Sequence, residues 1–330
     1  MSIVVGVDIS ARSFDLVVTN AGKVGPVERF SQSPEGHDKA IARLKALKPS
    51  LIVMEATGVY YLDLAVALFH AGLPVAVINP KSFHHFAQLK LRGSKTDGID
   101  TVLLAQYGQQ MQPPLWTPPS PNALALRDLG RQINRLTAAR TQARNRLHAL
   151  QAKRSTLALL IEDEREGITL LEQRIERLRK TALAMVAADQ PLARQWANLC
   201  AAKGVGEASA IAILGELCVL PQHLKAAQLS RFAGLDVRLN QSGTSVNRPG
   251  RLSKTGNAYL RSALFMPALS AVRHDPRAKA FYQALLARGK KKLQAICAVM
   301  RKYLTGLWAC MRSQTPFNSS RLFSEQHMNA

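Results

Sequence analysis

Acidic residues are scarce. The 330 residues hold 22 Asp plus Glu against 44 Lys plus Arg, a net charge of +22 at pH 7 and a pI near 10.4. Self-repulsion among so many cations opposes compaction unless a partner neutralises them, so a polyanion is expected, nucleic acid ahead of an anionic membrane surface. Long apolar runs are also missing. The most apolar stretch, 62–78, is broken by Asp63, His70 and Pro74, which leaves no run of about 20 residues to span a bilayer. No membrane partner is expected. No secretory leader is expected either: residues 1–8 have no basic segment before their short apolar run, which ends in Asp8 instead of a small-residue cleavage site. A cytoplasmic location is the expectation. The four cysteines, Cys200, Cys218, Cys297 and Cys310, show no C-x-x-C pairing, which argues against a disulfide framework or a cysteine zinc site. They read as small buried hydrophobes.

What is present suffices for a core, since 47% of residues are hydrophobic, and the length suggests two domains of roughly 150 residues. The first 110 residues alternate between strand and helix patterns. Strands are predicted over 3–7, 14–19, 27–30, 51–54 and 75–78, with helices over 37–47 and 60–70. This is an α/β pattern mixing antiparallel and parallel strands. Pro113, Pro114, Pro118, Pro119 and Pro121 then fall close together, so 111–122 reads as a Pro-rich, semi-rigid linker. Beyond it, apolar residues recur at three- and four-residue spacing from Leu126 to Leu150 and from Ile168 to Met185. Two long antiparallel helices are expected over 123–190, either an intramolecular hairpin or a dimerising coiled coil. A mostly helical domain over 191–330 completes the chain.

Because acids are few, their positions inform. Asp8 ends the first strand, Glu55 ends a later one, and Asp97 and Asp100 open a helical segment in Lys-Thr-Asp-Gly-Ile-Asp. A carboxylate directly after a buried run sits at a strand end, the usual edge of an α/β active site. The i, i+3 spacing puts Asp97 and Asp100 on one helix face. Converging carboxylates repel unless a hard cation neutralises them, and oxygen-only donors suit Mg²⁺ or Mn²⁺. A pair of such ions can stabilise both oxygens of a phosphodiester displacement. The competing reading is ordinary: Asp97 and Asp100 as helix N-terminal acids favoured by the macrodipole, and Glu55 bound to backbone amides.

A second constellation runs from Arg238 to Asn257, with Ser242, Ser245, three glycines, and the cations Arg238, Arg248, Arg251 and Lys254. Amides of a Gly-rich turn can cradle a phosphate, and a serine within that cradle is placed to attack phosphorus. The plainer alternative is a flexible basic hairpin touching backbone phosphates. Gly204-Val-Gly206 before a helical run resembles a helix-hairpin-helix phosphate turn, though it also suits two packed helices. Lys290, Lys291 and Lys292 open the last apolar helix, either as phosphate contacts or as a solvated cluster. Gly289-Lys-Lys lacks the spacing and following hydroxyl of a P-loop, so ATPase and kinase chemistry are not supported. From Lys225 onward, 18 cations face three acids. Arg127, Arg131, Arg135, Arg140, Arg144 and Arg146 form a stripe of the kind that tracks a phosphate backbone.

Over nearly its whole length the chain resembles the transposases of the bacterial insertion-sequence family numbered one hundred and ten, the bridge-RNA-guided recombinases. The matching motifs are Gly6-Val-Asp8, Glu55-Ala-Thr-Gly58, Val77-Ile-Asn-Pro80, Lys95-Thr-Asp97-Gly-Ile-Asp100, Phe232-Ala-Gly-Leu235, Ser242-Gly-Thr-Ser245 and Ser253-Lys-Thr-Gly256. The resemblance implies a RuvC-like, ribonuclease H-like domain over 1–110, with Asp8, Glu55, Asp97 and Asp100 as an acidic tetrad around Mg²⁺. It implies a transposase domain over 191–330 whose serine nucleophile is Ser242, with Ser245 as competitor. It further implies a bridge RNA pairing with target and donor DNA, a homodimer that assembles to a tetramer, and a place at the bacterial nucleoid. Specificity would then reside in base pairing, which fits a chain rich in cations and only 6% aromatic. The function expected is RNA-guided recombination through a covalent phosphoserine. The alternatives are a junction nuclease that uses the tetrad with water as nucleophile, and a non-catalytic binding module.

Overall fold

The computed structural model describes residues 2–56, 58–90, 97–242 and 246–323; the side chains of 97–99, 239–242 and 246–249 lie outside the description. The chain divides into two compact units, Met1–Pro118 and Pro119–Ala330.

The first unit holds β1 (Ile3–Ile9), β2 (Ser13–Asn20), β3 (Lys23–Ser31), α1 (Pro34–Leu47), β4 (Leu51–Glu55), α2 (Tyr61–His70), β5 (Val75–Ile78), α3 (Pro80–Lys90) and α4 (Asp97–Met111). Its five strands form one mixed sheet in the order β3-β2-β1-β4-β5. β1 pairs antiparallel with β2, and β2 with β3; β1 and β4, then β4 and β5, are parallel. The parallel pairs follow from chain length, because β4 and β5 are each reached through a helix, whereas the first three strands are joined by short turns. β1 is almost all Val and Ile, and both its faces are covered. Val5, Val7 and Ile9 pack with residues of α1 and α2, while Val4 packs on the opposite face with Leu103 and Leu104 of α4 and Phe83 and Phe86 of α3. α1 is started by Ser33, whose side chain accepts from the Gly36 amide, and it ends at Lys48 in the left-handed region. The helix α3 had no counterpart in the sequence reading.

The proline-rich stretch does more than connect. The Trp116 amide donates to the Val75 carbonyl at 2.7 Å, and its ring packs on the α1/α2 side of the sheet. Ser120 and Pro121 then begin the next helix, with the serine accepting from the Ala123 amide.

The second unit contains α5 (Pro121–Ala152), α6 (Ala158–Ala188), α7 (Gln190–Cys200), α8 (Glu207–Leu217), α9 (Ala226–Phe232), β6 (Val237–Ser242), β7 (Val246–Leu252), α10 (Ala258–Ala263), α11 (Phe265–His274), α12 (Pro276–Ala287) and α13 (Lys292–Ser313). A short 3₁₀ turn, Ser319–Arg321, follows. α5 and α6 run antiparallel and pack on each other within the chain. The core gathers around α8 and α13, whose Tyr303, Leu304 and Leu307 are fully buried. Asp189, Asn257 and Asp275 cap α7, α10 and α12 by accepting from amides of the first turn. All four cysteines are free thiols, as the sequence suggested. Burial raises each of their pKa values, that of Cys218 to about 12, so they act as packing groups.

Candidate functional site

β1 and β4 lie in parallel register with Val7 opposite Met54, so the next residues, Asp8 and Glu55, are neighbours at the carboxyl ends of adjacent strands. Val4, Gly6 and Asp8 alternate onto one sheet face, as do Val53 and Glu55, and α4 covers that face. Gly6 permits the close approach. A Cβ there would stand 2.1 Å from the Thr101 carbonyl oxygen and 2.7 Å from the Ala105 amide. Gly108, further along α4, lies over Val4, Leu51 and Val53. The helix therefore runs against β1 and brings its first turn, with Asp97 and Asp100, toward the edge where Asp8 and Glu55 end. Asp8, Glu55 and Asp100 are all partly exposed.

Among the described residues, no three His, Cys, Asp or Glu side chains converge closely enough to hold a metal ion. The Asp97 side chain, fourth of the expected set, lies outside them. The donor chemistry still fits a hard divalent cation, since every candidate ligand is a carboxylate oxygen and no sulfur or imidazole is among them. The sequence reading passed over Asp15. It sits directly across from Asp8 in the β1–β2 register, hence on the same face, and is 6% exposed. Arg29 of β3 grips it with two hydrogen bonds of 2.7 Å. Paired in this way, Asp15 adds little free negative charge beside Asp8. Strand alternation from Asp8 across a short turn was the signal available for it.

In the second unit, Ser242 is the last residue of β6 and pairs with Val246, the first of β7, so it stands at the tip of a hairpin. Its side chain lies outside the described residues, and Ser245 falls outside them altogether. The motifs flanking the hairpin hold its base. Gly234 and Gly256 both have positive φ, and a Cβ on Gly256 would lie 2.2 Å from the Phe232 carbonyl oxygen. The Lys254 amide donates to the Gly234 carbonyl at 3.1 Å, the Asn257 amide to Phe232, and the Ser253 hydroxyl to the Asp236 carboxylate. Phe232-Ala-Gly-Leu235 and Ser253-Lys-Thr-Gly256 thus form one interlocked backbone unit from which the hairpin projects.

The basic candidates separate. Arg251 and Lys254 from the hairpin base meet Lys290 and Lys291 in a groove of about 810 Å³ along the start of α13. Arg301, missed in the sequence reading, lines the same groove; it follows Leu293 and Cys297 at four-residue steps on one face of α13, a spacing the sequence contains. Arg238 donates to the Thr255 hydroxyl at 3.1 Å. Lys292 is exposed at the first position of α13. The Arg248 side chain lies outside the described residues, although its backbone pairs with Asn240.

Gly204 and Gly206 sit elsewhere in this unit. Gly204, at φ +90°, lets the turn pack on α11, where a Cβ would be 2.6 Å from Ser270 Cβ. Gly206 caps α8, but the first residue of that helix is Glu207, ion-paired with Arg179. An acid thus stands in the first turn of that helix, at the positive end of its dipole.

The arginine stripe of α5 also differs from expectation. Arg131 binds Glu216 of α8 through two hydrogen bonds of 2.5 and 2.9 Å, and Glu216 is 2% exposed. Arg135 donates to the Tyr259 hydroxyl; Arg144 pairs with Glu172, and Arg146 with Glu164, both on α6. Arg140 lies 4.0 Å from Glu172. Four of the six thus face carboxylates of α6 or α8, while Arg127 pairs with its neighbour Asp128; antiparallel packing of α5 on α6 brings Arg140, Arg144 and Arg146 beside Glu172 and Glu164.

Residues 5–154 match a family described as a transposase, under the name DEDD_Tnp_IS110, and residues 197–283 match the transposase IS116/IS110/IS902 family. The chain is 31% identical over 269 residues to the pilin gene-inverting protein of Moraxella bovis, covering 81% of each chain. It is 26% identical to a probable family 20 transposase of Pseudomonas aeruginosa, covering 82% of this chain and 86% of that one. A solved RuvC of Thermus thermophilus, in complex with a Holliday junction substrate, aligns over 35% of this chain and all of its own at 17% identity, with a TM-score of 0.28. Among the described residues no helix is long and apolar enough to cross a membrane.

Proposed function

The chain belongs to the IS116/IS110/IS902 transposase family and is a DNA-cleaving and recombining enzyme; from that premise we propose that it exchanges strands between target and donor DNA by a carboxylate centre and the serine at the hairpin tip, guided by a bridge RNA. The observation that carries this reading is the adjacency of Asp8 and Glu55 at the ends of β1 and β4, on the face that α4 covers. Asp8, Glu55, Asp97 and Asp100 would hold the divalent ion, Mg²⁺ or Mn²⁺. Such an ion neutralises negative charge on a phosphate undergoing displacement. The chain's own part is positional: Gly6 admits α4, whose sequence carries two of the acids, and Arg29 takes Asp15 out of the charge balance.

Ser242, carried to the end of β6 by the hairpin, is the nucleophile. Its hydroxyl oxygen bonds to phosphorus as its proton passes to solvent; the phosphorus–O3′ bond breaks and the departing O3′ takes a proton from solvent, leaving a 3′ hydroxyl and a phosphoserine. The ester conserves the energy of the broken bond for rejoining. Inversion, named in one relative, and transposition, named in another, both need strands cut and resealed in new pairings. The mostly helical second unit and its α5–α6 pair would serve assembly as a dimer and tetramer around RNA and two DNA duplexes.

The test is adduct trapping on a nicked substrate in Mg²⁺, read on a denaturing gel. Wild type should yield a protein–DNA band that Ser242→Ala lacks and that Asp97→Asn reduces at least about a hundredfold. If Ser242→Ala still cleaves without an adduct, water is the nucleophile and the junction-nuclease reading replaces this one.

A further inference from the structure

We propose that the groove between the base of the β6–β7 hairpin and the start of α13 seats one unpaired nucleotide of a polynucleotide, its base on the apolar floor and the adjoining phosphates on the cationic rim. This rests on the reading of the chain as a nucleic-acid recombinase but is not required by it, because a duplex can be held through phosphates alone.

Charge gives the first half of the argument. Arg251, Lys254, Lys290, Lys291 and Arg301 surround the groove, and no carboxylate is among the described residues lining it. Elsewhere in this unit Arg131, Arg144 and Arg146 of α5 each hold a carboxylate; here the cations are left for an external anion.

The floor gives the second half. Leu235, Leu252 and Leu285 lie in it, and Val237 and Leu293 remain 53% and 63% exposed at its mouth. Large apolar side chains open to water between lysines gain nothing from a phosphate. They gain from the flat face of a base. A paired base offers only its edges in a groove of the duplex, whereas an unpaired one offers the face. The volume of about 810 Å³ falls in the range of roughly 300–1,000 Å³ usual for sites that enclose a small ligand. No aromatic ring is among the described residues lining it, so contact would be aliphatic and tolerant of base identity. Val237 to Ser242 is a strand of six residues, about 17 Å from first to last, which sets the held nucleotide a few steps along a strand from the hairpin tip.

The test uses the full chain in EDTA, so that no strand is cut and failure of the serine chemistry leaves the measurement intact. Fluorescence anisotropy is measured with four labelled probes: a 12-mer of thymidylate, a 12-mer of uridylate, a 12-base-pair duplex, and the thymidylate strand with three central abasic sites. Wild type should bind a complete single strand about tenfold more tightly than the abasic strand. Val237→Ser/Leu293→Ser, both at exposed positions that spare the fold, should lose about tenfold on single strands and stay within about twofold on duplex. Whichever single strand suffers more, DNA or RNA, identifies the source of the nucleotide. Equal binding of abasic and complete strands by wild type overturns the proposal, as does an equal loss on duplex. A 4-thiouridine cross-link mapping to 235–254 or 285–301 supports it, and cross-links confined to other segments overturn it.

Discussion

The α5–α6 helical pair and the groove beside α13 belong to the same unit and are both rich in cations, yet their charges do different things. On α5, Arg131, Arg144 and Arg146 each hold a carboxylate of α6 or α8 at 2.5 Å. Around the groove, five cations line a surface with no acid among its described residues. A count of lysines and arginines cannot tell these apart, because what matters for a polyanion is charge left over after the fold has paired its own. The net +22 is therefore unevenly available, and the groove holds a part of it that the fold leaves unpaired.

The largest expected effect breaks the first side of this comparison at its most buried pair. Glu216, almost fully buried, accepts from Arg131 and from Asn257, the cap of α10, while the Arg131 and Arg135 guanidinium groups lie over the Tyr259 ring at 5.2 and 5.8 Å. Glu216→Ala leaves a half-buried guanidinium and a cap without their acceptor, a loss of about 3–5 kcal/mol. For a unit of this size that lowers Tm by roughly 10 °C, read by thermal denaturation. A fall below about 2 °C would mean that this pair is as loose as a surface one and that the two regions do not differ in kind.

The same pair shows where sequence reading stops. Strands β1, β4 and β5 were legible because runs such as Ile-Val-Val-Gly-Val have the β-branched character of buried strands, and Asp8 and Glu55 were legible as strand ends. Their adjacency was not, because register is fixed by the tertiary pairing of β1 with β4 across the intervening helix. Arg131 and Glu216 lie 85 positions apart, so a four-residue arginine rhythm looked like a phosphate track until the partner helices were placed. Helix α3 was missed, although Asn79-Pro80 carries a start signal: the Asn79 side chain accepts from the Lys81 amide, and proline occupies the first helical position. The apolar floor of the groove needed three separate segments to come together, and no local pattern announces that.

A smaller effect sharpens the other side. Lys290 and Lys291 are exposed and line the groove. Lys290→Gln/Lys291→Gln should lower the slope of log affinity against log salt by about 1.4–1.8 and weaken nucleic-acid binding roughly tenfold at 0.15 M. Arg144→Gln/Arg146→Gln, by contrast, should change that slope by less than about 0.5, since those cations are already matched by Glu172 and Glu164. Salt titrations of the two double variants on one probe compare the regions directly. Equal slope changes would dissolve the distinction.

The smallest effect concerns the outer end of the helical pair. Arg146 donates to both oxygens of Glu164, at 2.5 and 3.1 Å, and this hydrogen bonding holds the Glu164 carboxyl below its usual 4.5. A depressed acid contributes stability above its unfolded pKa and loses that contribution as pH falls through the folded value. Arg146→Ala should therefore melt about 2 °C below wild type at pH 7, and the two curves should converge as the pH falls through the lowered value at which the folded Glu164 carboxyl takes up its proton. The direction of convergence separates an ion pair from packing: the arginine's methylene stem would keep its contribution at every pH, so a gap that persists in acid would assign the contact to the stem. A gap that closes assigns it to charge spent inside the molecule, as the comparison with the groove requires.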